Sequence, residues 1–137
     1  MNAFAGRGLV RRVLDCATEV HARVGPGLAD DVYETYLAIE LTEAGIPFER
    51  GRVLRPEYDG HPLELEFELD FVVADMLVVE VEAVDTLDAV DEAQLRTYVH
   101  FGPFPMGLTL NFNASNLTDG ILRVGAARDC GIEPVPR

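Results

Sequence analysis

The sequence predicts an α/β domain, a central mixed sheet flanked by helices, and three observations lead there. Apolar residues recur at helical spacing from Leu9 to Gly45, the period falls to two from Val53, and helical spacing returns at Asp88 before one last apolar stretch. In the first helix Leu9, Val13, Leu14, Ala17, Val20 and Val24 share a side, and Gly25-Pro26-Gly27 ends it. The second has Asp30 and Asp31 at its positive end, an apolar stripe of Val32, Tyr36, Ile39 and Leu41, and Gly45 as its C-cap. A strand follows near Val53 to Tyr58, then a turn at Asp59-Gly60 and a longer strand from Leu63 to Val73. A third strand runs from Met76 to Ala83. The helix from Asp88 to His100 is stopped by Phe101-Gly102-Pro103, and Met106 to Phe112 is the last strand. Because a helix precedes it, that strand is expected parallel to a neighbour. The order is α-α-β-β-β-α-β.

The 137 residues, 48% hydrophobic, make one domain with its core over about residues 9–124 and a tail over 125–137. From Asn113 onward no period is clear. Twenty-four acidic residues against eleven basic ones give a formal charge of -13, and every basic residue is arginine. That balance excludes a protein that coats nucleic acid by bulk attraction. It disfavours nucleic acid as a partner and leaves a protein partner or a homo-oligomer as alternatives. No apolar run approaches the roughly 18 residues of a membrane span, and Met1-Asn2-Ala3-Phe4 lacks a signal-peptide pattern, so a cytoplasmic protein with no membrane partner is expected. Cys16 and Cys130 fit no metal or disulfide spacing and are expected as buried thiols.

Between Leu63 and Phe71 apolar and acidic residues alternate, which places Glu64, Glu66, Glu68 and Asp70 on one strand face. A hairpin centred on Asp75 sets Phe71 against Val79 and Leu69 against Val81. It also sets Asp70 against Glu80 and Glu68 against Glu82, and a one-residue slip would turn acids into the core. Like charges facing each other across strands destabilise by about 1 kcal/mol or less per pair, so a compensating interaction is expected. For Glu64 and Glu66 a solvated face suffices. Asp70 and Glu80 instead interrupt apolar runs, Phe71-Val72-Val73 and Leu77-Val78-Val79, that read as buried on both faces. A buried carboxylate pair calls for a shared proton or a cation, and hard oxygen donors suit Mg²⁺, Mn²⁺ or Ca²⁺.

An acid ending one strand, an acid within the next, and a helix bearing Gln94-Leu95-Arg96-Thr97-Tyr98 resemble the PD-(D/E)xK nuclease superfamily. Four blocks in order resemble, more narrowly, its small bacterial GxxExxY proteins: Gly25 to Tyr33, Glu80 to Val84, Glu92 to Leu95, and Asn111 to Asn113. The resemblance implies a restriction-endonuclease-like core and a divalent metal cofactor, Mg²⁺ or Mn²⁺, that activates water at a scissile phosphate. It implies Asp70, Glu80, Glu82 and Gln94 as the catalytic positions and Asp70, Glu80 and Asp30 as the metal ligands. Tyr98, four residues after Gln94 and so on the same helix face, lines the site.

Two positions depart from the family pattern. Asp30 stands where the GxxExxY motif has glutamate, and Glu82 stands where the superfamily has its lysine. The second exchange reverses a charge beside the metal site, and no other lysine exists to replace it. Arg96, Arg52 and Arg55 are the nearest substitutes, as electrostatic stabilisers only, although surface roles suit all three better. The resemblance therefore implies metal binding more firmly than hydrolysis, and a catalytically inactive nuclease-fold scaffold or interaction module stands as the alternative.

The remaining signals are weaker. His21, His61 and His100 lie in separate elements without metal-ligand spacing. Tyr33 and Tyr36 read as core aromatics of the second helix. Asn111 and Asn113 alternate on the last strand and are within reach of the acidic site, although turn-forming polar residues at a strand end would look the same.

Overall fold

The computed structural model describes residues 3–125, with side chains from residue 6 onward. The predicted tail and Cys130 lie outside the described residues. Two helices lead, α1 (Ala3–Val24) and α2 (Asp30–Glu43). Gly45 takes φ +71°, its N–H donates to Thr42 O, and the Ile46 N–H donates to Leu41 O. This is the paired-bond ending that glycine makes favourable, and Ile46 seals it from the core side.

Seven strands follow the helical pair, β1 (Phe48–Leu54), β2 (Glu57–Tyr58), β3 (His61–Pro62), β4 (Phe67–Val73), β5 (Leu77–Glu82), β6 (Met106–Asn111) and β7 (Ile121–Gly125), with α3 (Ala89–Phe101) between β5 and β6. Strands β1-β4-β5-β6-β7 form the main sheet, while β2 and β3 make a separate two-stranded hairpin. The β5–β6 pair is parallel, as expected from the helix between them, and the other neighbours are antiparallel.

Three expectations need correction. The first strand begins earlier, at Phe48, and stops at Leu54, because Pro56 has no N–H to extend a ladder; Tyr58 belongs to the small hairpin. Leu63 to Glu66 therefore have no partner strand, and the long acidic strand shortens to β4. The polar stretch after Asn113 ends in an unforeseen fifth sheet strand, β7.

The hairpin register is the one that burial selects: Phe71 pairs with Val79 and Val73 with Leu77 around a three-residue turn, Ala74 to Met76. On one side of the sheet α1 and α2 bury Val13, Val20, Tyr33, Leu37 and Leu41 against Phe71, Val79, Leu108 and Leu110. On the other, α3 buries Leu95, Tyr98 and Val99 against Leu69, Val72 and Val78. Its start is fixed by Asp88, whose side chain accepts from the Val90 and Asp91 N–H groups while the Asp91 side chain accepts from the Asp88 N–H. Tyr33 is in the core as expected, but Tyr36 is 38% exposed on the outer side of α2. Cys16 is buried as expected. Among the described residues, no helix is long and apolar enough to cross a membrane.

Gly107 sets how closely α3 approaches β6. A Cβ there would stand 2.8 Å from both Leu95 Cδ1 and Val99 Cγ2, side chains locked in the core. Gly107→Ala is expected to destabilise by about 1–3 kcal/mol, read as a lower urea midpoint at unchanged slope.

Candidate functional site

The alternation of β4 breaks at Asp70. Phe67 and Leu69 pack with the α3 layer, whereas Phe71 and Val73 pack with the α1–α2 layer, although all four have the same parity. The acids of this strand thus do not form the single continuous face that the sequence pattern predicts. On the β1 side the residue opposite Asp70 is Gly51, at φ +71°, and the flanking ladder pairs are Arg50–Phe71 and Arg52–Leu69. A left-handed glycine lets the ribbon turn over at this point without loss of register. On the β5 side the ladder stops at Phe71–Val79.

Two carboxylates bridge the opening beyond that pair. The Asp70 N–H donates to Glu80 Oε2 at 2.9 Å, and the Val81 N–H donates to Asp70 Oδ2 at 2.9 Å. Each acid accepts the backbone donor of the opposite strand in place of a carbonyl. This exchange is the compensation that facing like charges require, since a half-buried carboxylate gains from a charge-assisted hydrogen bond.

Burial and then the neighbouring Asp70 push the Glu80 carboxyl up to about 8. Burial also raises Asp70, opposed by the Val81 N–H and reinforced by Asp30 and Glu68. Glu82 is raised by burial, then by Asp91, Asp70 and Asp30. Glu34 joins the group, raised by burial and then by Asp70. Asp70 and Glu80 are thus linked directly through each other's backbone donors, and the charges of Glu82, Glu34 and exposed Asp30 act on the pair. Asp30 is placed by the turn before it. The Tyr33 hydroxyl donates to Gly25 O and accepts from the Leu28 N–H, while the Gly27 N–H donates to Asn113 Oδ1.

Gln94 and Tyr98 also reach the site. Gln94 Nε2 donates to the Tyr98 hydroxyl, which burial and then Glu80 push up to about 12. Asn111 acts on the backbone instead. Its amide accepts from the Val84 N–H and donates to Val84 O, holding the segment that follows Glu82. The three candidate arginines are engaged elsewhere. Arg52 pairs with Glu49 and Asp75, Arg55 with Glu66, and Arg96 with Glu92. The cation that acts on Asp70 and Glu34 is Arg50, 3.6 Å from Glu34 and lying over the Phe71 ring. Glu34 was legible, being one helical turn from Asp30. Arg50 was not, because only the β1–β4 register brings it there.

The donor chemistry fits a divalent cation at a two-carboxylate site. Asp70 and Glu80 are adjacent hard-oxygen donors, and each leaves one carboxylate oxygen without a donor from the described residues. Burial and the neighbouring Asp70 disfavour charge on Glu80, a cost that a shared proton or a bound cation would relieve. Among the described residues no group of three or more His, Cys, Asp or Glu side chains is placed to hold a metal ion. Mg²⁺ commonly uses one or two carboxylates and completes its shell with water and substrate oxygens.

Residues 7–124 match the family model of the PD-(D/E)XK nuclease superfamily. No curated protein and no solved structure matches the chain. A family match that runs from the first helix to the last strand of the main sheet takes in every element of the site: the chain belongs to the PD-(D/E)XK nuclease superfamily.

Proposed function

We propose that this chain is a divalent-cation-binding nuclease-fold protein of the GxxExxY type, with Asp70 and Glu80 as ligands, whose hydrolysis of nucleic-acid phosphodiesters is impaired by Glu82. The reciprocal bonding of Asp70 and Glu80 across the opened ladder carries this reading. The backbone donors fix both carboxylates, so their remaining oxygens are preorganised for one ion. A bound Mg²⁺ or Mn²⁺ would supply charge neutralisation and a more acidic water.

The chain's own residues divide the work. Asp70 and Glu80 orient the ion, and Asp30 adds negative charge from the start of α2. Gln94 keeps the Tyr98 hydroxyl beside Glu80, where a phenol held neutral can donate a hydrogen bond. Glu82 supplies an anion where the superfamily's lysine would meet developing charge, and this repels a phosphate. Support for the narrower GxxExxY assignment comes from Gly27, Asp30 and Tyr33, since Tyr33 clamps the glycine turn that places Asp30.

A second reading, a scaffold that keeps the fold without the reaction, is favoured by one observation: Arg50, the cation acting on Asp70, is already held by Glu34. Calorimetric titration with Mn²⁺ tests the metal half. One ion is expected to bind the wild type, with affinity lowered at least about a hundredfold in Asp70→Ala, equivalent to roughly 2.7 kcal/mol. Equal binding by the two proteins overturns the assignment. Cleavage of single- and double-stranded DNA with Mn²⁺ separates the readings: detectable wild-type turnover, lost in Asp70→Ala, refutes the pure scaffold.

A further inference from the structure

A groove of about 610 Å³ lies between the first half of α1 and the β6–β7 edge of the sheet. It sits at the Met106 end of β6 and reaches Leu108, while Asn111 lies at the other end, on the order of 15 Å away along the strand, and Glu80 pairs with the intervening Thr109 on the neighbouring strand. Gly8 of α1 lines this space, and a Cβ at that residue would meet nothing within 4 Å. Its apolar lining is Val10, Leu14, Leu108 and Val124 with Met106, and no aromatic ring is among the described lining residues. Around it stand Arg7, Arg11 and Arg123, and the one acid among the described lining residues is Asp15.

The local charge is opposite to that of the whole chain. Among the described arginines outside the groove, Arg12 donates to Ala44 O, and Arg23, Arg50, Arg52, Arg55 and Arg96 make ion pairs. Among the described residues Arg11 and Arg123 make none, even though Asp15 is one helical turn from Arg11. Two guanidinium groups without a carboxylate, set over an aliphatic trough, are complementary to an anion that carries an apolar body. The volume is within the range of about 300–1,000 Å³ typical of small-ligand sites. A nucleic-acid strand would cover the arginines but leave the aliphatic floor unmatched, and the net charge of -13 would oppose it.

We propose that this groove binds a small amphipathic carboxylate: the aliphatic body lies on Val10, Leu14 and Leu108, and the carboxylate meets Arg11 and Arg123. Calorimetry on the full chain with sodium octanoate, its neutral isostere octanamide, and sodium acetate is the test. Octanoate is expected to bind at one site, at least about tenfold tighter than octanamide, and acetate not measurably, because both charge and apolar body are needed. The double variant Arg11→Ala/Arg123→Ala changes two exposed side chains and should lower octanoate affinity at least about tenfold. Gly8→Leu, which fills the trough from a helix position, should abolish it.

Octanamide binding as tightly as octanoate, unchanged binding by either variant, or no binding of octanoate overturns the proposal. A single-stranded oligonucleotide that binds the wild type and is lost in the double variant, with octanoate silent, reassigns the groove to nucleic acid and overturns it equally. Because Asp70→Ala leaves the groove untouched, failure here and failure of the metal assignment are separately readable.

Discussion

Without metal, the protein is expected to lose stability steadily as the pH rises from about 4.5 to 8, by roughly 3–5 kcal/mol in all. The direction follows from Glu80. Its carboxyl is raised from an ordinary value of 4.5 to about 8 in the folded protein, so within that window the folded chain holds a proton that the unfolded chain has released. The associated stability is fully present below the unfolded value and is gone once the pH passes the folded one. Asp70 is also raised and acts in the same direction. This opposes the usual carboxylate behaviour, in which acids held by ion pairs favour folding as they ionise. Urea midpoints measured in chelator at half-unit pH steps check the trend. A neutral amide at the same position accepts the Asp70 N–H as well, so Glu80→Gln should flatten the profile without unfolding the protein. Mn²⁺ should flatten it too, because an ion bound to the ionised pair stabilises the folded form where the proton is lost. A midpoint that stays level or rises between pH 5 and 8 in the metal-free wild type contradicts a buried carboxylate pair that keeps its proton.

What the sequence makes legible, and what it conceals, divides along a physical line. Elements with a strong period, α1, α2, β5 and α3, are readable because one buried face dictates their pattern. The β4–β5 register is readable for the same reason: a slip would bury acids, so Phe71–Val79 is the pairing that remains. The conformation at Asp70 is not readable. An unbroken alternation from Leu63 to Phe71 suggests one regular strand, yet Gly51, a residue of a different strand, decides that the ribbon turns over there. Strand β7 has only Ile121, Leu122 and Val124 to announce it, too short a run to stand out after a polar stretch. In the site, the facing of Asp70 and Glu80 follows from the β4–β5 register, whereas the expected Glu68–Glu82 pair is not made because the ladder ends at Phe71–Val79. The adjacency of Arg50 depends on β1, whose bounds the sequence misplaces, and the role of Asn111 as a clamp on Val84 depends on a loop that has no period.

Glu82→Lys is expected to convert the site. The substitution replaces an anion by a cation two residues after Glu80, a local change of two charges within the field of Asp70 and Asp30. If impaired hydrolysis comes from this one exchange, Mn²⁺-dependent cleavage of DNA should rise on the order of 10²–10³-fold over the wild type, the scale set by a single donor aimed at developing transition-state charge. The same lysine favours the ionised form of Glu80, which Glu82 now disfavours, so the decline in stability toward pH 8 should shrink in the metal-free variant. These two readouts separate the causes. A shallower pH profile with no gain in cleavage places the lysine in the site but locates the loss of activity elsewhere, in the engagement of Arg50 by Glu34 or in the repulsion of a polyanion by the whole chain. Cleavage measured at low and high salt then distinguishes those two, because long-range repulsion is screened over about 10 Å at 0.1 M salt whereas a half-buried ion pair is screened much less. Neither a gain in cleavage nor a change in the pH profile would mean that the side chain at 82 does not share the field of the paired acids, and the impairment attributed to it would fall.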